Sequence, residues 1–209
     1  MSITKTLRAS ALAASLAIAL GMALTPTPAA AAGTTGSTTF SVILQPTTLL
    51  YYYSAIDLTV PSSALVALAG GATINLGAQA LTATGTASTL SANAATIAPG
   101  APGSISAVGL TLGNVWAVRS ITTPSAGTTT VTVSFGTGST AVTSATLKSP
   151  TTGSSIALSS LATSPTSFNG TGLGGAPQVG NVTMTMDLSN AKTAETYSGA
   201  TIYITATST

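Results

Sequence analysis

The segment TTTVTVSF at residues 128–135 decides the fold class, because apolar and hydroxylated side chains alternate along it. Val131, Val133 and Phe135 fall on one face of a strand, and threonine and serine fall on the other. The segments NVTMTMDL at residues 181–188 and ATIYITA at residues 200–206 repeat the pattern. These segments predict strands with one face in a common core, formed by Val131, Val133, Met184, Met186, Ile202 and Ile204.

Shorter runs of the same kind, separated by clusters of glycine, proline and serine, extend the prediction along the chain. They predict strands at residues 39–44, 52–60, 73–76, 105–112, 115–120, 141–147 and 155–161. Residues 62–69 predict a short helix, with Ser62 or Ser63 as the N-cap and Gly70-Gly71 at the end. We therefore predict one all-β domain, an immunoglobulin-like or Greek-key β-sandwich of about eight to ten strands.

The first 32 residues have the three-part layout of a secretory signal peptide. Lys5 and Arg8 precede an apolar run at residues 9–24, which is short for a membrane span. Two prolines and the alanine run at residues 29–32 follow, so we predict cleavage near Ala32. The expected organisation is a signal peptide at residues 1–32, a flexible leader and candidate donor strand at residues 33–46, and a β-sandwich domain at residues 47–209. No membrane span is expected after cleavage.

Charge is scarce in this chain. The formal net charge is +2, with five basic and three acidic side chains. Removing Lys5 and Arg8 leaves three of each sign, so the mature chain sums to zero. A neutral chain lacks the basic stripe that nucleic acid requires, which excludes nucleic acid as a partner. It also gives little repulsion between copies, which favours self-association.

The inventory of catalytic side chains is almost empty. Histidine and cysteine are absent, which excludes Ser-His and Cys-His nucleophile systems, the usual zinc sites and disulfides. We predict no enzyme, no cofactor and no metal site. Three weak motifs remain: an S-x-x-K pattern at residues 189–192, a G-x-G-x-x-G pattern at residues 170–175, and Asp187 and Glu195, which would approach each other if the last two strands formed a hairpin. We interpret them as a turn, a loop and solvated carboxylates.

Two segments are candidates for contact with a partner. After the leader, Phe40, Val42 and Leu44 alternate with Ser41, Ile43 and Gln45. This strand either opens its own sandwich or is donated to a neighbouring subunit. The other candidate is the cluster of Tyr51, Tyr52 and Tyr53, in which Tyr52 faces opposite to its neighbours, so at least one ring is expected at the surface. The rings either cover one end of the core or form a contact surface.

The closing block, with DLSN at residues 187–190 and ETYSGATIYIT at residues 195–205, resembles the end of bacterial surface β-sandwiches such as spore-coat-U-like and chaperone-usher pilin-like domains. In those domains a Tyr-Ser-Gly turn leads into a final strand rich in threonine and isoleucine. The resemblance covers about 25 residues and implies an immunoglobulin-like sandwich assembled by strand complementation, without catalytic residues. This chain departs from many such pilins because it lacks a cysteine pair.

Three functions fit these features. The first is an exported structural subunit of a cell-surface filament (a pilus or fimbria) or coat, which self-associates into a polymer. The second is a monomeric adhesion or carbohydrate-binding module that stacks host or surface glycans on Trp116 or on the tyrosine cluster. The third is a threonine-rich ice-binding or surface-layer protein, which regularly spaced T-x-T motifs would favour. The T-x-T motifs at residues 82–84 and 183–185 have no fixed period.

Overall fold

The structure is a computed structural model that describes residues 39–78, 80–84, 94–101, 104–124, 127–136 and 142–209. The chain divides into two compact units, Met1–Val42 and Ile43–Thr209. The described part of the first unit, residues 39–42, forms no helix or strand. The predicted signal peptide lies outside the described residues. The second unit contains every helix and strand described below.

One helix and eleven strands form in the described part of the chain. In chain order they are β1 (Thr47–Asp57), α1 (Ser62–Ala69), β2 (Ile74–Gly77), β3 (Ala80–Thr84), β4 (Ala95–Pro99), β5 (Val108–Ile121), β6 (Thr128–Ser134), β7 (Ala145–Lys148), β8 (Ser155–Ser164), β9 (Ser167–Asn169), β10 (Gln178–Asp187) and β11 (Tyr203–Ser208).

The larger sheet contains eight strands, and β2, β4, β5, β10, β8 and β7 lie side by side in that order. β5 is the longest strand and pairs along its length with β10. On its other edge, β5 pairs first with β4 and then with β1. β3 pairs with the second half of β1. These pairings are antiparallel, so β5 organises the sheet around strands that are distant in sequence.

The smaller sheet has the order β11-β6-β9 and is also antiparallel. Val131 of β6 and Phe135, which follows that strand, belong to the same buried cluster as Trp116 of β5 and Leu161 of β8, so the two sheets share one core. The predicted all-β sandwich is therefore confirmed.

The predicted core face is also confirmed. Val131, Met184 and Met186 are buried, and the other three predicted positions are partly buried and pack against the same cluster. β10 contributes Val182, Met184 and Met186, spaced two residues apart, while the threonines between them face outward. The two-residue period of the sequence thus corresponds directly to the inward and outward faces of the sheet.

β5 differs from the two separate strands that the sequence predicted there. Gly113 and Asn114 form a bulge rather than a break: Gly180 pairs with Trp116 and Val182 pairs with Leu112, so β5 holds two extra residues. Asn114 has a φ of 53° and donates its N–H to Asn181 Oδ1 at 3.0 Å. Because two residues are added, the inward face continues on the same side of the strand after the bulge.

The helix α1 was predicted with the correct bounds but the wrong cap. Pro61 is the N-cap, and no side chain caps the helix. The Pro61 carbonyl accepts the N–H groups of Ala64 and Leu65 at 3.0 and 3.2 Å. The helix ends at Ala69 with Gly70 as its C-cap, and Gly71 follows with a φ of 88°, a left-handed conformation that glycine adopts without steric cost.

Candidate assembly surface

Residues 39–46 contain the predicted contact side chains, and they form neither helix nor strand. The exposed fraction is 86% for Phe40, 66% for Val42 and 69% for Leu44. Ile43, on the opposite face of the alternation, is 83% exposed. The prediction of a strand at residues 39–44, and the alternative that it opens its own sandwich, are wrong for the single chain. Alternation shows how a segment would lie in a sheet, but a strand forms only where an edge pairs with it.

The three tyrosines lie in β1, at the point where that strand changes partner from β5 to β3. Tyr52 pairs with residues on both sides, Trp116 of β5 and Thr84 of β3. Tyr52 is 40% exposed, whereas Tyr51 and Tyr53 are half-buried. Burial also raises the pKa of the Tyr53 hydroxyl. The cluster thus offers one clearly exposed ring rather than a platform of three.

Trp116 is fully buried, so the expectation that it forms a glycan platform is wrong. Its ring stacks on Phe168 with centroids 6.3 Å apart, and its indole N–H donates to Thr163 Oγ1 at 2.7 Å. Gly180 lies opposite Trp116 across the β5–β10 pairing, and the indole ring occupies the space that a Cβ on Gly180 would fill. The only tryptophan of the chain is therefore a core residue between the two sheets.

β11 pairs with β6 through one of its edges only. Thr207 lies opposite Thr130 in the register, and the Thr209 N–H donates to the Thr128 carbonyl at 3.1 Å. In an antiparallel pair, alternate residues direct both backbone groups toward the partner. The N–H and C=O groups of Ile204 and Ala206 therefore point to the opposite edge. Across the described ranges, no strand pairs with that edge.

A chain of hydroxyl groups joins β1, β11, β6 and β5 at one end of the sandwich. Thr129 Oγ1 donates to Ser120 Oγ at 2.6 Å, and Ser208 Oγ lies 2.9 Å from Thr129 and 2.6 Å from Thr48. A hydroxyl has one proton to donate. Since the Thr129 proton goes to Ser120, Ser208 donates to Thr129 and Thr48 donates to Ser208. The chain thus runs in one direction, from the first strand to the core.

The outer edge of β7 is covered by the segment that leads to β11. The Lys148 N–H donates to the Ser198 carbonyl at 2.7 Å, and the Ser198 N–H donates back to Lys148 at 3.1 Å. Three residues before Ser198, Glu195 binds the loop that follows β7. This edge of the larger sheet is therefore partly paired within the chain.

Glu195 accepts hydrogen bonds from four hydroxyl groups. Ser149 Oγ donates to it at 2.6 Å and Thr152 Oγ1 at 2.7 Å, and Thr151 and Thr193 donate as well. These bonds lower the pKa of Glu195 to about 2, and the bond from Ser149 has the largest effect. The carboxylate thus joins the loop after β7 to the segment before β11 while it remains ionised.

The last two long strands do not form the hairpin that would bring Asp187 and Glu195 together, because β10 lies in the larger sheet and β11 in the smaller one. Asp187 therefore has its own local partner: the Ser189 N–H donates to its carboxylate at 2.9 Å, and the Ser189 side chain and backbone lower the pKa of Asp187. The two carboxylates have separate structural roles in place of the paired arrangement of a glycosidase.

The other two motifs are a turn and a loop, as interpreted from the sequence. Residues 189–192 form a turn after β10, where Asn190 donates from its side chain to Ser155 Oγ at 2.8 Å. The glycine-rich loop at residues 170–175 leads into β10 rather than into a helix. The loop is fastened to β5, since Gly172 donates its N–H to the Ser120 carbonyl at 2.9 Å.

Comparison with known proteins gives no relative: no protein-family model, no curated protein and no solved structure matches this chain. Within the described ranges, no three acidic, histidine or cysteine side chains lie together as metal ligands would. The same residues contain no helix that is long and apolar enough to cross a membrane.

Proposed function

We propose that this chain is an exported structural subunit of a bacterial cell-surface filament or coat, and that copies associate through residues 39–46. The observation that carries the proposal is the exposure of Phe40, Val42, Ile43 and Leu44 in the single chain. An apolar segment of this length, with strand alternation and no strand partner of its own, is suited to β-strand addition on another copy.

Comparing the free energy of side-chain burial with the cost of ordering the backbone shows what residues 39–46 require from a partner. Burying Phe40, Val42 and Leu44 contributes roughly 1.5 to 3 kcal/mol each, or about 5 to 9 kcal/mol together. Ordering the five residues 40–44 costs about 1 to 2 kcal/mol each, or about 5 to 10 kcal/mol. Side-chain burial alone therefore roughly balances the ordering cost. Backbone pairing with a strand edge decides whether the complex forms, which favours strand addition over loose hydrophobic contact.

Charge and residue chemistry support the same function. The described sandwich contains six charged side chains, three of each sign, so little long-range repulsion opposes the approach of copies. The chain contains no histidine or cysteine, which leaves a structural role better supported than a catalytic one. Export is supported by the signal-peptide layout of residues 1–32. The buried position of Trp116 weakens the carbohydrate-binding alternative, since Tyr52 alone remains as an exposed ring of the candidates.

Removal of the segment tests the proposal. We expect the mature chain to sediment as polymers and a variant lacking residues 33–46 to remain monomeric and folded. Adding a peptide of residues 38–45 to the deleted variant should raise its melting temperature in a concentration-dependent way. Polymers that form equally well without the segment would show that the assembly hypothesis is wrong.

A matched pair of variants separates strand addition from general stickiness. Val42 and Leu44 share one face, and Ile43, which is equally apolar and exposed, lies on the other. V42S/L44S should abolish polymers if one face is buried in a partner, whereas I43S should leave them largely intact. Equal loss in both variants would argue for non-specific hydrophobic association.

One observation favours ice binding as a second candidate function. The T-x-T motif at residues 130–132 of β6 pairs in register with the T-x-T motif at residues 205–207 of β11: Thr132 lies opposite Thr205, and Thr130 opposite Thr207. All four side chains are exposed. Sheet geometry spaces them by about 4.8 Å between strands and about 6.8 Å along a strand. The four threonines are thus regularly spaced on the surface of the sheet, although the T-x-T motifs have no fixed period in the sequence.

Such an array of methyl and hydroxyl groups is suited to ordered water. Thermal hysteresis and ice-recrystallisation assays test this candidate. Activity that is lost on replacing Thr132 and Thr205 by lysine, and kept on replacing Thr111 of the other sheet, would support ice binding. The absence of any activity in the unmodified protein would exclude it.

A further inference from the structure

The sheet edges of this sandwich are unequal as sites for an added strand. β2, β3, β7 and β9 are between three and five residues long. β7 is in addition paired to Ser198. β11 has six residues and one edge without a strand partner in the described part of the chain. β1 residues 47–51 also pair on one side only, with β5.

β1 and β11 lie in different sheets but are in contact at one end. Thr48 at the start of β1 and Ser208 at the end of β11 are joined by their hydroxyls at 2.6 Å, which brings the two strands together at one end. The two strands belong to different sheets and form no ladder with each other. At the Thr48 end, side chains rather than a backbone ladder therefore connect β1 to β11.

The core is less completely covered at β1 and β11 than in the middle of the larger sheet. Ile204 and Ala206 of β11, Ile202 just before that strand and Leu50 of β1 are partly buried and pack against the core cluster. In contrast, Ile97, Val108 and Val182, in the middle of the larger sheet, are fully buried. Apolar side chains added along the free edge of β11 would extend the burial of this part of the core.

We propose that residues 39–46 of a second copy pair with the free edge of β11; the inference rests on the proposed function and names its acceptor. Phe40, Val42 and Leu44 would face Ile204 and Ala206, while Ser41 and Ile43 would lie on the outer face beside Thr205. The five residues 40–44 match the length of β11, which has six. Pro46 follows the segment and lacks an N–H, so it ends the ladder there.

Disulfide cross-linking between separately prepared mature chains tests the acceptor edge. The chain contains no cysteine, so each introduced thiol has one intended partner. Chains with Ile43→Cys are mixed with chains carrying Tyr203→Cys, Thr205→Cys or Thr207→Cys, all exposed outer-face positions on β11. The matched control is Thr146→Cys, an exposed position on the edge strand β7. A disulfide requires Cα atoms about 4.4 to 6.8 Å apart, so only adjacent strands cross-link efficiently.

The expected result is a mixed disulfide dimer at one β11 position, with a yield about tenfold or more above that of the Thr146→Cys control. An equal or higher yield with Thr146→Cys, or polymers with no cross-link to any of the three β11 positions, would overturn the assignment of β11. In either case, loss of polymers on deleting residues 33–46 would leave the proposed function standing. Polymers that persist after the deletion would overturn both the proposed function and the assignment of β11 as the acceptor edge.

Discussion

Replacing Gly180 by alanine should destabilise the sandwich through Trp116. An added Cβ would lie 1.9 Å from the indole Cζ2 and 2.1 Å from Cε2, whereas ordinary contacts begin near 3.4 Å. The ring would have to retreat by the difference, about 1.5 Å, or the strands would have to separate. Phe168 stacks on the ring, and the indole N–H is held by Thr163 at 2.7 Å, so a shift of that size would break the hydrogen bond.

The expected cost follows from these two effects. Overpacking a core costs about 1 to 3 kcal/mol, and losing a buried hydrogen bond adds about 1 kcal/mol. We therefore expect Gly180→Ala to lower the free energy of unfolding by about 2 to 4 kcal/mol. That is a large part of the roughly 5 to 15 kcal/mol typical of a domain.

Urea unfolding followed by tryptophan fluorescence measures this directly, because Trp116 is the only tryptophan. The midpoint should fall while the slope stays constant. Gly174→Ala is the matched control: no heavy atom lies within 4 Å of its added Cβ, and a change below about 0.5 kcal/mol is expected. The double variant Gly180→Ala/Trp116→Phe, which has no tryptophan and is followed by circular dichroism instead, should lose less free energy of unfolding than the sum of the two single variants. A Gly180→Ala protein with unchanged midpoint and emission would refute the packing described here.

The remaining predictions concern the core, the hydroxyl chain, acid stability and export. Met184→Ala should cost about 2 to 4 kcal/mol in urea unfolding, because Met184 is buried between the sheets. Thr129→Val should cost about 1 to 3 kcal/mol, since it leaves a Ser208 hydroxyl without its acceptor, whereas the exposed Thr130→Val should change little. The pKa of Glu195 is lowered from 4.5 to about 2, so the ionised carboxylate contributes its full stabilisation above pH 4.5 and loses it as the pH falls toward about 2. The melting temperatures of Glu195→Gln and wild type should therefore differ less near pH 2 than near pH 6. Mass spectrometry of exported protein should find an N-terminus near Gly33, and an unprocessed N-terminus would contradict the signal-peptide prediction.

The sequence predicted those parts of the fold that depend on the exposure of alternate side chains. β6, β10 and β11 each bury one face, so their two-residue period is visible in the sequence. β4 was missed because its five residues, ATIAP, end in proline and contain little polar contrast. β5 was divided in two because Gly113-Asn114 is typical of a turn, whereas here it forms a bulge that keeps the ladder continuous.

Pairing and burial across the sandwich could not be predicted from local pattern. The period of β10 and β11 is the same, and nothing in it shows that the two strands enter different sheets. The burial of Trp116 depends on Phe168, Thr163 and Gly180, which approach it from distant positions in the chain. The exposed segment at residues 39–46 was found from alternation, but only the structure shows that it has no strand partner within the described residues.

The hydroxyl contact between Thr48 and Ser208 has a consequence for when the protein can fold. The two residues are separated by 160 positions, so β1 gains this contact only after those further residues have been made. At about 5 to 20 residues per second, that interval lasts roughly 8 to 32 s. The backbone pairings of β1 with β3 and β5 involve residues no later than Ile121, so they can form before this contact does. The two sheets can therefore be joined at the Thr48 end only after β11 has been made.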